Sequence, residues 1–134
     1  MRGAIAAILF FMMPASASFA AAEGHRDERF YASLKRLDPV TRLDQICDYE
    51  AMLRIDGDAN PFHPDRAKAE VLSTPRRTKN SVIANGGAFR SNGSWYALSF
   101  TCRTTPDNMQ VVHFDYAVGK RIPESEWSKY GLWR

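Results

Sequence analysis

Two cysteines and three histidines are all that the 134 residues offer as metal ligands beyond carboxylates. His25, His63 and His113 form no metal-ligand spacing with one another or with a cysteine, and His113-x-Asp115 is only a weak pairing. No metal or other cofactor is therefore expected. The absence of a Cys-x-x-Cys pair removes a dithiol redox site. Charge excess is missing too: the formal net charge is +3, with 25% charged residues of both signs, which excludes a polybasic nucleic-acid binder. Eight glycines and seven prolines are too few for a collagen-like chain, and 12% aromatic residues are too many for a disordered one. The length leaves room for one modest core and not for a multidomain enzyme.

The apolar residues that are present begin with a continuous run over residues 4–13. Arg2 precedes it, Pro14 breaks it, and the small residues from Ala15 to Ala22 follow. That order predicts a secretory signal peptide over residues 1–22, cleaved after Ala20 or Ala22. The run falls short of the roughly 20 residues that a transmembrane helix needs, and no later segment reaches that length. Without this segment, and so without Arg2, 17 basic and 15 acidic side chains remain. The expected protein is exported, to a periplasmic or extracellular location, with no transmembrane segment after cleavage. In an oxidising compartment Cys47 and Cys102 read as one disulfide. Closing its loop of about 55 residues removes roughly 4 kcal/mol of chain entropy from the unfolded state.

Periodicity divides the rest. Residues 23–26 read as a tail. Phe30, Tyr31, Leu34 and Leu37 predict a first helix. Asp38-Pro39 then supplies an N-cap and a first helical position for a second helix reaching about Ile55, with Val40, Leu43, Ile46, Cys47, Ala51 and Leu53 on one broad stripe. A short third helix is expected from Pro64, with Ala67, Val71 and Leu72 inward, then a solvated loop over residues 74–80. From there the period becomes two. Tyr96, Leu98, Phe100 and Cys102 alternate with Trp95, Ala97, Ser99 and Thr101, and the stretch around Phe114 alternates likewise. Turn residues at 91–94 and 104–108 join three strands into an antiparallel meander. Asn85-Gly86-Gly87 reads as a bulge or turn. Pro123 opens a short C-terminal helix that Gly131 closes, after which Leu132 and Trp133 fold back. The expectation is a single α+β domain over residues 23–134, two to three N-terminal helices on a three-stranded meander, stapled by the cysteines.

Candidate sites are sparse. Asp56-x-Asp58-x-Asn60 opens like a calcium loop, but Pro61 and Ala67 stand where glycine and the bidentate glutamate belong, so a helix-ending turn is expected. His63 precedes Pro64 at a helix start, and His113 lies on a polar strand face. Glu50 and Arg54, spaced i,i+4, suit an ion pair at the rim of the core. Should Arg66 or Arg90 converge on them, the four would make an anion or partner cleft. Arg76-Arg77-Thr78-Lys79 reads as solvated, and Asn92-Gly93-Ser94, a glycosylation sequon, as a turn. Trp95, Trp127 and Trp133 read as core pieces, with a carbohydrate or peptide groove as the other reading.

Several landmarks carry a resemblance. Leu37-Asp38-Pro39, Thr41-Arg42-Leu43-Asp44-Gln45, Cys47-Asp48, Phe62-His63-Pro64-Asp65-Arg66, Gly87-Ala88-Phe89-Arg90, the stretch from Trp95 to Cys102, and the closing Ile122-Pro123 with Trp127 and Tyr130-Gly131-Leu132-Trp133 occur in order. Together they resemble the bacterial family called domain of unknown function 930, over Leu37 to Trp133. The resemblance implies an exported bacterial protein and brings no catalytic residue or cofactor. The functional expectation is a non-enzymatic binding or interaction module of the bacterial envelope, without an assigned catalytic residue. Its partner would be an envelope protein, a cell-wall fragment or a small anion. The alternative is a small envelope hydrolase using His63 or His113 with a nearby carboxylate.

Overall fold

The computed structural model describes residues 27–134. The signal peptide expected over residues 1–22 and the tail expected over residues 23–26 lie outside the described residues. Two aspartates start the two α-helices found among the described residues. Asp27 accepts the N–H groups of Arg29 and Phe30 and opens α1 (Glu28–Leu34). Asp38 accepts those of Val40 and Thr41, both at 3.1 Å, and opens α2 (Pro39–Gly57). The Arg42 guanidinium donates to the Leu34, Lys35 and Leu37 carbonyls, which a helix end leaves without intrahelical partners, and to the Asp107 carbonyl.

The buried stripe of α2 is Leu43, Ile46, Cys47, Ala51 and Ile55. Val40 and Leu53, expected on it, are exposed at 61% and 49%. Leu53 is six residues from Cys47, about 240° around the helix, and so points away from the sheet. Asp58 caps the helix end, and Asn60 closes the turn by donating to the Ile55 carbonyl and accepting from the Phe62 N–H. The Asp56–Asn60 segment is thus the helix-ending turn that the sequence predicts.

Five antiparallel strands among the described residues make one sheet: β1 (Pro64–Lys68), β2 (Arg76–Arg77), β3 (Ser81–Ser91), β4 (Ser94–Thr104) and β5 (Val111–Arg121). The expected meander is β3–β4–β5, turned at Asn92 and Gly93, both at positive φ. The third helix expected from Pro64 is instead β1, with Ala67 opposite Phe89. Three apolar residues spaced like a helical turn misled there. A strand uses the backbone groups along the free edge of β3, which a helix would leave unpaired. β2 takes the other end of the same edge, Arg77 opposite Val82, so the expected solvated loop contains a strand. Between them β3 breaks register from Ala84 to Gly87, the bulge foreseen at Asn85-Gly86-Gly87. The Val71 and Leu72 N–H groups both donate to the Gly86 carbonyl, and a Cβ on Gly86 would lie 2.2 Å from Ser73 Oγ. Only glycine fits so close a backbone approach.

The helical layer covers one face of the sheet. The α2 stripe packs with Val82, Phe89, Leu98, Phe100 and Phe114, and the Cys47–Cys102 disulfide crosses that interface with 5.9 Å between Cα atoms. Adjacent strand residues point to opposite faces, so Trp95 and Ala88 lie beneath the sheet, joined by Ile122, Trp127 and Leu132 in a second cluster. The C-terminal helix is two single 3-10 turns, Glu124–Glu126 and Ser128–Tyr130, ended by Gly131 at φ 65°. Leu132 is buried as expected, while Trp133 stays 46% exposed. Its carbonyl accepts the Trp95 indole N–H.

Candidate functional site: a cleft between helix α2 and strand β1

More than two turns of α2, from Asp44 to Met52, and the edge strand β1 border a cleft of about 550 Å³. Asp44, Asp48 and Glu70 bring acid groups to it, Arg66, Lys68 and Arg77 bring cations, and Phe30, Tyr49, Met52 and Trp133 bring apolar surface. Phe30 and Tyr49 stack with ring centroids 4.1 Å apart, which fixes that wall. Trp133 forms part of the lining from the C-terminal end, with Lys68 Nζ 5.7 Å and the Arg90 guanidinium 5.6 Å from its ring centroid. Two further depressions, of about 210 and 260 Å³, lie on the sheet around Ser99 and Ala117.

The charges are not equivalent. Arg77 reaches from β2 to grip both Asp44 oxygens at 2.8 and 3.1 Å and touches Glu70 at 3.3 Å. This bidentate grip raises the guanidinium above its ordinary pKa. Arg77 is half-buried, so one of the three basic residues in the run expected to be solvated is in fact a structural clamp on α2. Asp48, one helical turn beyond Asp44, has no such cation. Its Oδ1 is sealed from solvent without a hydrogen-bond partner. Burial, then the charge of Asp44, push the carboxyl up to about 8. The Ala69 N–H, Arg77 and Lys68 oppose that rise without cancelling it. At neutral pH Asp48 is therefore mainly a neutral acid, capable of donating a proton or a hydrogen bond from the cleft wall.

Of the residues singled out by sequence, Glu50 and Arg54 form the expected ion pair, 2.8 Å apart. Neither lines the cleft. Arg90 is held bidentately by Asp65 at 2.9 and 2.7 Å, which lowers that carboxyl's pKa, and lies beside Trp95 and Trp133. Arg66 alone of the four lines the cleft; its Nη1 donates to the Asp65 carbonyl. His63 sits at a strand start, its N–H bonded to Ser91 Oγ, not at a helix start. Each of the two described histidines has a carboxylate neighbour: His63 Nδ1 is 3.0 Å from Asp56, and His113 Nε2 is 2.6 Å from Asp115. Both pairs are largely exposed and outside the cleft. No group of three or more metal-ligating side chains occurs among the described residues.

Sequence reasoning passed over Asp44, Asp48 and Lys68. A signal existed: Asp44 and Asp48 are spaced i,i+4 beside the buried stripe, and Asp48 follows the bridged Cys47 directly. Missing was the strand nature of β1, without which Arg66 and Lys68 could not be set opposite α2.

A family model described as Domain of Unknown Function (DUF930) matches residues 34–132. The chain belongs to the DUF930 family. In this DUF930 protein the match runs from Leu34, buried at the end of α1, to Leu132, buried at the C-terminal end. It contains both cysteines and the charged cleft residues, while Phe30 and Trp133 fall just outside. No curated protein and no solved structure matches the chain.

Proposed function

We propose that this DUF930 protein is an exported, non-enzymatic binding module that holds a small ligand in the cleft between α2 and β1. The observation that carries the reading is Asp48, a carboxyl group in the cleft wall with one oxygen sealed from solvent and unpartnered. A buried, unsatisfied carboxyl is costly, and such groups concentrate at sites that use them. Concave, largely preformed pockets with an apolar wall and a few placed polar groups are the usual form of small-ligand sites. The disulfide supports both parts of the reading. It anchors α2 at the residue next to Asp48, and a bridge of this kind persists in an oxidising compartment. No helix among the described residues is long and apolar enough to cross a membrane.

The test uses the full oxidised chain, labelled with ¹⁵N, and a small-molecule extract of the producing organism's envelope. Saturable shifts of the amides around residues 44–52 and 66–70 are expected. A Met52→Trp variant that fills the cleft while keeping its melting temperature should lose them. An extract that leaves the cleft amides unmoved overturns the reading.

A second reading, the envelope hydrolase, draws on the carboxylate beside each histidine. Proton transfer to a substrate needs an enclosed site with a bound geometry, and both pairs stand on open surface. Hydrolysis of envelope polymers that disappears in a folded His63→Ala or His113→Ala variant would replace the binding reading with this one.

A further inference from the structure

The cleft's unpaired groups indicate what it takes. Arg66 and Lys68 are two residues apart on β1, so both leave the same side of the strand, while Ala67 between them is buried against the helical layer. Neither forms an ion pair among the described residues. Arg66 is spent on one backbone carbonyl, and Lys68 stands beside the Trp133 ring. Asp44 and Glu70, in contrast, share the single Arg77 guanidinium, which leaves one negative charge over, so Arg66 and Lys68 keep the cleft net positive by one charge when Asp48 is neutral. The cleft therefore presents two free cations, one acid group with an unpartnered oxygen, and an apolar wall.

We propose that the cleft is a carboxylate site, in which Lys68 and Arg66 supply the countercharge, the Asp48 acid group donates a hydrogen bond, and Phe30, Tyr49 and Trp133 hold an apolar ligand body. A protonated carboxyl that donates to an oxyanion is a known way to use a buried acid group. A carboxylate of the ligand would meet guanidinium and ammonium donors together. A cationic ligand would instead add like charge beside Arg66 and Lys68. Binding is linked to protons with a definite sign. The groups that line the cleft with Asp48 are Asp44 and Tyr49 from α2, Arg66 and Lys68 from β1, Glu70 after it, Arg77 from β2, and the uncharged Phe30 and Trp133. Burial and the charge of Asp44 push the Asp48 carboxyl up to about 8. The ligand needs its protonated form, so affinity is highest below pH 8 and falls above it.

This inference rests on the binding reading, and the probes separate the two. The full oxidised chain is titrated with 3-phenylpropionate, 3-phenylpropionamide and 3-phenylpropylamine, following the cleft amides and the Trp133 indole N–H by NMR. The acid is expected to shift them saturably, the amide to bind about tenfold more weakly, and the amine to have no effect. Lys68→Met, on an edge strand and compatible with folding, should weaken the acid about tenfold. Affinity for the acid should fall about tenfold per unit well above pH 8, and Asp48→Asn should flatten that profile. Tighter binding of the amine than of the acid overturns the carboxylate assignment and leaves the cleft reading standing. So does a cleft that responds to envelope extract but to none of the three probes. If neither extract nor probes move the cleft resonances, both readings fail.

Discussion

Asp48→Asn should make the protein more stable, and the gain should depend on pH in a way no other substitution reproduces. The unfolded carboxyl titrates at 3.8, whereas burial and Asp44 hold the native one up to about 8. Native protein thus binds a proton that unfolded protein has lost. Stability contributed by this group is full below pH 3.8, declines as pH rises, and is lost once pH passes the folded value near 8. Each pH unit corresponds to about 1.4 kcal/mol, so between pH 3.8 and 7 the native state forfeits at most about 4 kcal/mol. Local relaxation and the partial exposure of the residue reduce this, and about 2 kcal/mol is the working figure at pH 7. Asparagine keeps the shape and an acceptor for the Ala69 N–H without needing the proton. Thermal unfolding of wild type and variant across pH 4 to 9 reads the difference directly, because other titrations largely cancel. The expected gap is near zero at pH 4, roughly 10 °C in Tm at pH 7, and level above pH 8. Parallel curves over the whole range would refute the burial argument.

Cys47→Ser, or reductant added to the wild type, should lower stability by roughly 4 kcal/mol, the loop entropy released when the 55-residue link is cut; denaturant titration checks it, and an unchanged midpoint would remove the staple. Asn108 is buried at φ 56°, donates to the Pro39 and Lys79 carbonyls, and accepts from Thr104 and Asn80. Asn108→Ala should cost about 3 kcal/mol by chemical denaturation, and Asn108→Gly somewhat less, because glycine tolerates the left-handed backbone. Gly86→Ala should destabilise by about 2 kcal/mol or more, since its Cβ would lie within 2.5 Å of the Ser73 backbone nitrogen. Faster amide exchange at Val71 and Leu72 in that variant would locate the damage at the bulge.

The elements that sequence makes legible are those whose signals are local. Asp38-Pro39 caps a helix because the side-chain acceptor and the missing N–H act within one turn. Asn92-Gly93 turns a hairpin because positive φ is intrinsic to those residues. β4 alternates because successive side chains of a strand point to opposite faces, a period carried by its own residues. β1 and β2 carry no such signal. They are five and two residues long, polar, and become strands because β3 is long enough to leave an edge that both can pair with. The cleft inherits that illegibility. Asp48 is visible as an acid beside a buried cysteine, but the residues of β1 and Ala69 that line the cleft with it come from across the chain. The Glu50–Arg54 pair is legible for the opposite reason: an i,i+4 contact needs only its own helix.

The staple and the acid group are adjacent in sequence and comparable in energy, which bears on where the protein holds its shape. Cys47 fixes α2 to β4 from inside the core, while Arg77 fixes the same helix from outside through Asp44. Between these two anchors the helix cannot tilt to let water reach Asp48 without breaking a covalent bond or a bidentate ion pair. Removing either anchor should therefore relieve Asp48 as well as weaken the fold. In reduced protein that remains folded, the carboxyl should fall from about 8 toward its unfolded value, and the pH-dependent advantage of Asp48→Asn should shrink with it. An advantage of undiminished size in such protein would mean that β1 alone buries the acid group, and that the disulfide contributes stability to the cleft without shaping it.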